Sequence, residues 1–206
     1  MTVPAHKEAL TDDNALIAAS LAEPARFAEL FDRHYPAIHR YLRRRLSAEL
    51  ADDLAAETFL LAFRQRVQYR PVHPDATAWL YGIAGNLARH HARCEQRRLR
   101  AYARAASDDV GPDASEGVAE RLDAAVAMRG VAAALAGLPA AQREVVLLAA
   151  WTELDRAGIA RALGVPPATV GSRLHRARKR LRRQLGWAAL DEVAGIDPTA
   201  SLEDPA

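Results

Sequence analysis

One cysteine, Cys94, is all that the 206-residue sequence holds. No disulfide can close within the chain, which excludes a disulfide-stapled scaffold and fits a reducing compartment. No apolar run approaches the length of about twenty residues that a membrane span needs. The opening MTVPAHKEALTDD lacks the charged-then-apolar layout of a signal peptide. The expectation is a cytoplasmic protein with no membrane contact. Period-two alternation of useful length is missing, so no sheet is expected, and no internal repeat is found. A nucleophile–base pair and a phosphate-cradling glycine loop are missing too, which argues against catalysis and against a bound cofactor. The formal net charge is only +2, so bulk composition does not mark a nucleic-acid binder.

What is present is helix-forming sequence with unevenly placed charge. Half the residues are apolar, mostly Ala and Leu, which are strong helix formers. Between Arg89 and Arg104 stand Arg89, Arg93, Arg97, Arg98, Arg100 and Arg104 against the lone acid Glu95. From Asp108 to Glu120 the charges are all acidic, and the tail after Asp191 is acidic again. Two basic patches separated by an acidic stretch fit two surfaces that face a polyanion. The sequence therefore predicts an all-α protein, two small helical domains joined by a flexible acidic linker, the C-terminal one a helix-turn-helix. The expected boundaries are a loosely ordered lead at 1–20, a first domain at 21–104, the linker at 105–126, a second domain at 127–186 and an acidic tail at 187–206.

In the first domain Phe27, Leu30, Phe31, Tyr35, Ile38, Leu42 and Leu46 recur at helical steps. Pro36 falls inside that run and is expected to interrupt or kink it. A second helix is expected from Ala48 to about Gln68, with Leu50, Leu54, Thr58 and Ala62 on one face. YRPVHPDAT reads as a loop, and Asp75 or Thr77 is placed to cap the helix carrying AWLYGIAGNLARHHARCEQRR. On that helix His90 and Cys94 are four apart, with His91 adjacent. A closed zinc site needs more ligands, and His6, His34, His39, His73 and His175 are scattered, so no metal is expected.

The second domain carries WTELDRAGIARALGVPPATVGSRLHRARKRLRRQL. Asp155 is an N-cap for a short helix. Gly164 suits the left-handed exit, and Pro167 suits the first turn of the next helix. In that helix Val170, Leu174, Ala177, Leu181 and Leu185 form one apolar stripe, while Arg173, Arg176, Lys179, Arg180 and Arg183 lie off it. One side packs and the other is cationic, the layout of a recognition helix. Thr169, Ser172, Arg173 and Arg176 lie near its start, in reach of base edges. Lys179 and Arg180 suit phosphates. Gly171, inside the helix, costs about 1 kcal/mol against Ala, which calls for packing or for close approach of the backbone to DNA.

On these residues the sequence resembles a bacterial RNA polymerase sigma factor of the extracytoplasmic-function (ECF) type. ATVGSRLHRARKRLR looks like that family's reader of the −35 promoter element. FAELFDRHYPAIHRYLRRRL, ADDLAAETFLLAF and AWLYGIAGNLARHHAR look like successive segments of its N-terminal conserved domain. The resemblance implies a subunit that binds core RNA polymerase and promoter DNA and directs initiation through the −10 and −35 elements. Asp52, Asp53, Glu57, Phe59 and Leu60 are then the expected contacts with the clamp coiled coil of the largest polymerase subunit. Trp79, Asn86, Arg89 and Arg93 are the expected −10 contacts, with Asn86 foremost. An anti-sigma protein is an implied further partner. The alternative reading is a stand-alone helix-turn-helix regulator that binds an operator as a dimer. It accounts for the C-terminal segment but not for ADDLAAETF and WLYGIAGNLA.

Overall fold

The computed structural model of the chain describes residues 12–71, 75–105 and 130–185, and among them there is no strand. Helix α1 spans Asp13–Ala22, and a 3-10 turn at Pro24–Arg26 leads into α2, Phe27–Arg43. Helix α3 spans Ala48–Gln65 and ends in a 3-10 turn, Arg66–Gln68. Helix α4 spans Thr77–Ala105. Helical residues 130–136 form α5. Helices α6 (Ala140–Trp151), α7 (Arg156–Leu163) and α8 (Pro167–Leu185) complete the fold. Of the expected linker only Ala105 lies within the described residues. The acidic tail lies outside them, as do residues 1–11.

The expected loose lead is corrected by α1. Asp12 caps this helix, its side chain accepting from the Asn14 N–H at 3.2 Å. Leu16 and Ile17 are buried. Asp13 is 3% exposed and accepts from Arg33 at 2.5 Å, from the Ala76 N–H at 2.8 Å and pairs with His34 at 2.7 Å. One carboxylate thus ties α1 to α2 and to the start of α4, where the helix dipole favours negative charge. Burial pushes the Asp13 pKa up, but bonds to His34, Ala76 and Arg33 outweigh it, and the carboxyl sits below its usual range. The expected break at Pro36 is also corrected: α2 runs through the proline. Leu30, Ile38, Tyr41 and Leu42 are buried on either side of it, and their packing offsets the lost backbone bond.

Asp75 takes the expected capping role, accepting from the Thr77 N–H at 3.0 Å. Arg143 of α6 donates to the carbonyls of Leu135, Ala136 and Leu138 at 2.8, 2.5 and 3.0 Å, which satisfies the end of α5. The main core does not stop at the boundary between the two helical domains. Leu30, Leu42, Leu54, Leu80 and Ile83 belong to one buried cluster with Val145, Leu148, Ile159 and Val170. A smaller cluster, Ala134, Leu138, Ala177 and Leu181, holds α5 against α8.

Candidate functional site

The helix-turn-helix forms from local signals. Asp155 caps α7, accepting from the Gly158 N–H at 2.6 Å. Gly164 takes φ 62° and ψ 38°, the left-handed exit that favours glycine. The Val165 N–H returns to the Ala160 carbonyl at 3.0 Å. On α8, Val170, Ala177 and Leu181 are buried, with Leu174 and Leu185 partly so, as the stripe predicts. Ser172, Arg176, Lys179 and Arg180 are exposed, and Thr169 and Arg173 are half-buried at the start of the helix. Ser172 donates to the Thr169 carbonyl at 3.1 Å, and Arg176 donates to the Ser172 carbonyl and hydroxyl, both at 3.2 Å. A Cβ at Gly171 would meet nothing within 4 Å, so close packing within the protein does not account for that glycine.

On α4 the expected residues are not equivalent. Asn86 and Arg93 are exposed. Arg89 is half-buried and donates to the Asn86 side-chain oxygen. Trp79 is half-buried, its ring 4.6 Å from that of Tyr69, so one of its faces is already occupied. Tyr81 is buried edge-to-face against Tyr41 at 5.2 Å. His90 and Cys94 approach to 3.8 Å. Among the described residues no three His, Cys, Asp or Glu side chains are grouped to hold a metal ion.

Beside these residues lies a polar cluster that the sequence does not announce. Glu144 of α6 is 5% exposed. Arg45, in the turn after α2, binds both its oxygens, at 2.6 and 3.1 Å, the two-pronged geometry of a strong charge-assisted pair. Arg89 of α4 reaches the same carboxylate at 3.4 Å. Arg45 also donates to the Tyr41 hydroxyl. Burial pushes the Tyr41 phenol up to about 12, so it stays neutral in this cluster. Two turns before Arg89 on α4, a Cβ at Gly82 would lie 2.8 Å from the Ala162 carbonyl oxygen of α7. Only glycine lets the two backbones approach that closely.

On α3, Asp52, Asp53, Glu57 and Leu60 are exposed as predicted. Phe59 is not: it is 4% exposed, packed edge-to-face on Phe31 at 4.9 Å. It supports the surface from below. Phe31, Tyr35 and His39 stack successively along α2 at its side, and His39 pairs with Asp52 at 2.6 Å. Their four-residue spacing was the only sequence signal for this strip, and it reads as core.

These surfaces define a class before they define a family: a helical protein with two helices that expose basic residues and a third that exposes an acidic face. Residues 30–98 match the family described as Sigma-70 region 2, and residues 128–181 match Sigma-70, region 4. The ECF sigma factor SigM of Mycobacterium tuberculosis strain H37Rv is 34% identical over 177 residues, 85% of each chain. CarQ of Myxococcus xanthus, an RNA polymerase sigma factor, is 33% identical over 80% of this chain and 92% of its own. The solved structure of CnrH in complex with the cytosolic domain of CnrY superposes with a TM-score of 0.59 at 26% identity, covering 87% of this chain and 97% of that one. RpoE of Bartonella quintana, solved with the anti-sigma factor NepR, shares the fold at a TM-score of 0.55 and 24% identity, over 77% and 96%. The chain belongs to the ECF RNA polymerase sigma factors. It binds core RNA polymerase and promoter DNA and directs promoter-specific initiation through the −10 and −35 elements. The operator-binding dimer is not favoured, since it has no use for region 2. Among the described residues no helix is long and apolar enough to cross a membrane.

Proposed function

We propose the following division of labour within this sigma factor. Asp52, Asp53, Glu57 and Leu60 dock on the clamp coiled coil of the largest polymerase subunit, with Phe59 holding Phe31 and Tyr35 beneath them. Asn86, Arg89 and Arg93 engage the −10 element, and Trp79 frames that surface. Thr169, Ser172, Arg173 and Arg176 read base edges of the −35 duplex, while Lys179 and Arg180 bind its phosphates. The working units are residues 21–104 and 127–186, joined by the acidic segment 105–126. The protein acts in the cytoplasm, performs no chemistry of its own, and is held in check by an anti-sigma protein. The capture of CnrH with a CnrY domain is consistent with such a partner.

The observation that carries this reading is the pairing of two exposed basic helices, α4 and α8, with an exposed acidic face on α3 in one chain. Run-off transcription with purified core enzyme on genomic fragments tests it. Transcripts should start at discrete sites only when the protein is added. Start sites unchanged by its presence would overturn the reading.

A further inference from the structure

We propose that α8 has a second polyanionic partner besides promoter DNA: the acidic segment 191–204 of the same chain. In the free subunit this segment lies on the basic face of α8, and the −35 duplex displaces it. The inference rests on the reading that α8 holds that duplex partly through Lys179.

Helical spacing sets the face. His175, Arg178, Lys179, Arg182 and Arg183 stand three, four, seven and eight residues apart, which puts them on one side of α8. All five are exposed, and they line one open groove. The stripe of Val170, Ala177 and Leu181 is buried on another side of the helix. No acid stands between Pro167 and Leu185. Among the described residues no carboxylate pairs with Arg178, Lys179 or Arg183. Arg178 with Arg182, and Lys179 with Arg183, are like charges four apart, an arrangement that destabilises a helix until an anion neutralises it.

The chain holds two acidic stretches, 108–120 and 191–204, each with five acids and no base. Tether length favours the second. Asp191 comes six residues after Leu185, a span of ~20 Å for extended chain. Lys179 lies about 9 Å back along the helix axis from Leu185, so Asp191 and Glu192 reach it and Arg182. Gly186 directly follows α8, and glycine is the residue that most readily lets a chain leave a helix and turn back. The stretch 108–120 joins this domain at Gly130, whose Cβ position is 4.0 Å from the Leu185 side chain. Glu120 is ten residues from that point, and a longer tether gives a lower local concentration.

Lys179 belongs both to this groove and to the phosphate contacts proposed for the −35 duplex. One polyanion therefore excludes the other there. A short tether holds the segment at millimolar effective concentration, so it fills the face when no promoter is present. Duplex DNA carries about one charge per 1.7 Å, far denser than five acids in fourteen residues, and displaces it where base contacts add to the charge. Non-specific DNA lacks those contacts, so the segment raises the threshold that a sequence must pass to be held.

Lys179 and Lys7 are the only lysines in the chain, which makes the contact readable by chemistry. A zero-length carbodiimide joins an ammonium to a carboxylate only where the two touch. The full-length chain, as an equal mixture of heavy-isotope and ordinary copies, is treated without DNA and digested for mass spectrometry. Lys179 should be linked to an acid of 191–204 within single-isotope molecules, and a saturating duplex from a promoter found by run-off transcription should abolish the link. Linkage to 108–120, linkage between isotopes, or Lys179 left unlinked would overturn the proposal. Affinity for that duplex gives a second readout. The variant Asp191→Asn, Glu192→Gln, Asp197→Asn, Glu203→Gln, Asp204→Asn should bind about tenfold tighter if the segment covers α8 in nine molecules of ten. Matching amides at Asp108, Asp109, Asp113, Glu116 and Glu120 add the same charge and should leave affinity near the parent's. Equal gains in the two variants would reduce the effect to net charge and overturn it. Failure of the −35 reading shows separately: Lys179→Ala would leave duplex affinity unchanged while Lys179 of the parent still links to 191–204.

Discussion

At the scale of single residues, the helix-turn-helix and the Asp13 site make different demands. Arg173 stands on the first turns of α8 and is one of the proposed readers of base edges. Arg173→Ala is expected to lose about 1–3 kcal/mol of discrimination between a matched and a mismatched −35 duplex, with polymerase affinity intact. Competition binding measures the first quantity and a polymerase pull-down the second. Equal losses on both duplexes would make Arg173 a phosphate contact instead. Asp13 acts on stability. Its pKa lies below the usual value of 3.8 in the fold, so the unfolded chain takes up the proton first as acid is added. The stabilisation is complete above that usual value and is lost as pH falls below it. Asp13→Asn should cost about 2 kcal/mol near pH 7. Urea titrations from pH 7 to pH 3 should show the parent losing more stability than the variant. Parallel profiles would remove Asp13 from the account.

Whole elements differ in how much of them the sequence discloses. Helices α7 and α8 were legible to the residue, because an N-cap, a left-handed glycine and an apolar stripe are all local signals. The start of α4 was legible to within two residues, with Asp75 or Thr77 expected as its cap, and Asp75 accepts from the Thr77 N–H. Helix α1 was not. Its buried hydrophobic residues are the short Leu16–Ile17 pair, and its anchor is a carboxylate whose partners lie twenty or more residues away. Along α2, the run Phe31, Tyr35, His39 has core spacing, yet Phe31 is 36% exposed and lies beside α3. Period alone cannot tell an inward stripe from an aromatic strip on the surface. The α3 face itself was read correctly at Asp52, Asp53, Glu57 and Leu60 as to exposure, and wrongly at Phe59. For that face the expected outcome is sharp. Asp53→Arg should weaken core-polymerase binding at least about tenfold, or 1.4 kcal/mol, and leave −35 duplex binding by the full chain unaffected. Surface plasmon resonance on immobilised polymerase checks the first, and unchanged polymerase affinity would move the docking face elsewhere.

For the molecule as a whole, the contacts that matter most were the least readable. Glu144 and Arg45 are 99 residues apart, and Gly82 and Ala162 come from different domains. No local pattern links such pairs, and in isolation Glu144 reads as the last of three polar residues, after Gln142 and Arg143, in an otherwise apolar helix. A continuous core has a thermal consequence. Calorimetry of the full chain should show one cooperative transition, because neither domain can melt without exposing the other's apolar surface. Gly82→Leu should split it into two. Two transitions in the parent would mean that the shared cluster contributes little.

The seat on α4 also has a timetable. Gly82 is synthesised about eighty residues before Ala162. At the usual 5–20 residues per second, that is a delay of ~4–16 s. For those seconds α4 stands without the α7 backbone that Gly82 admits. The apolar face that α4 turns to α7 is bare during that interval, so a chain cut before residue 156 should aggregate more readily than the full-length chain.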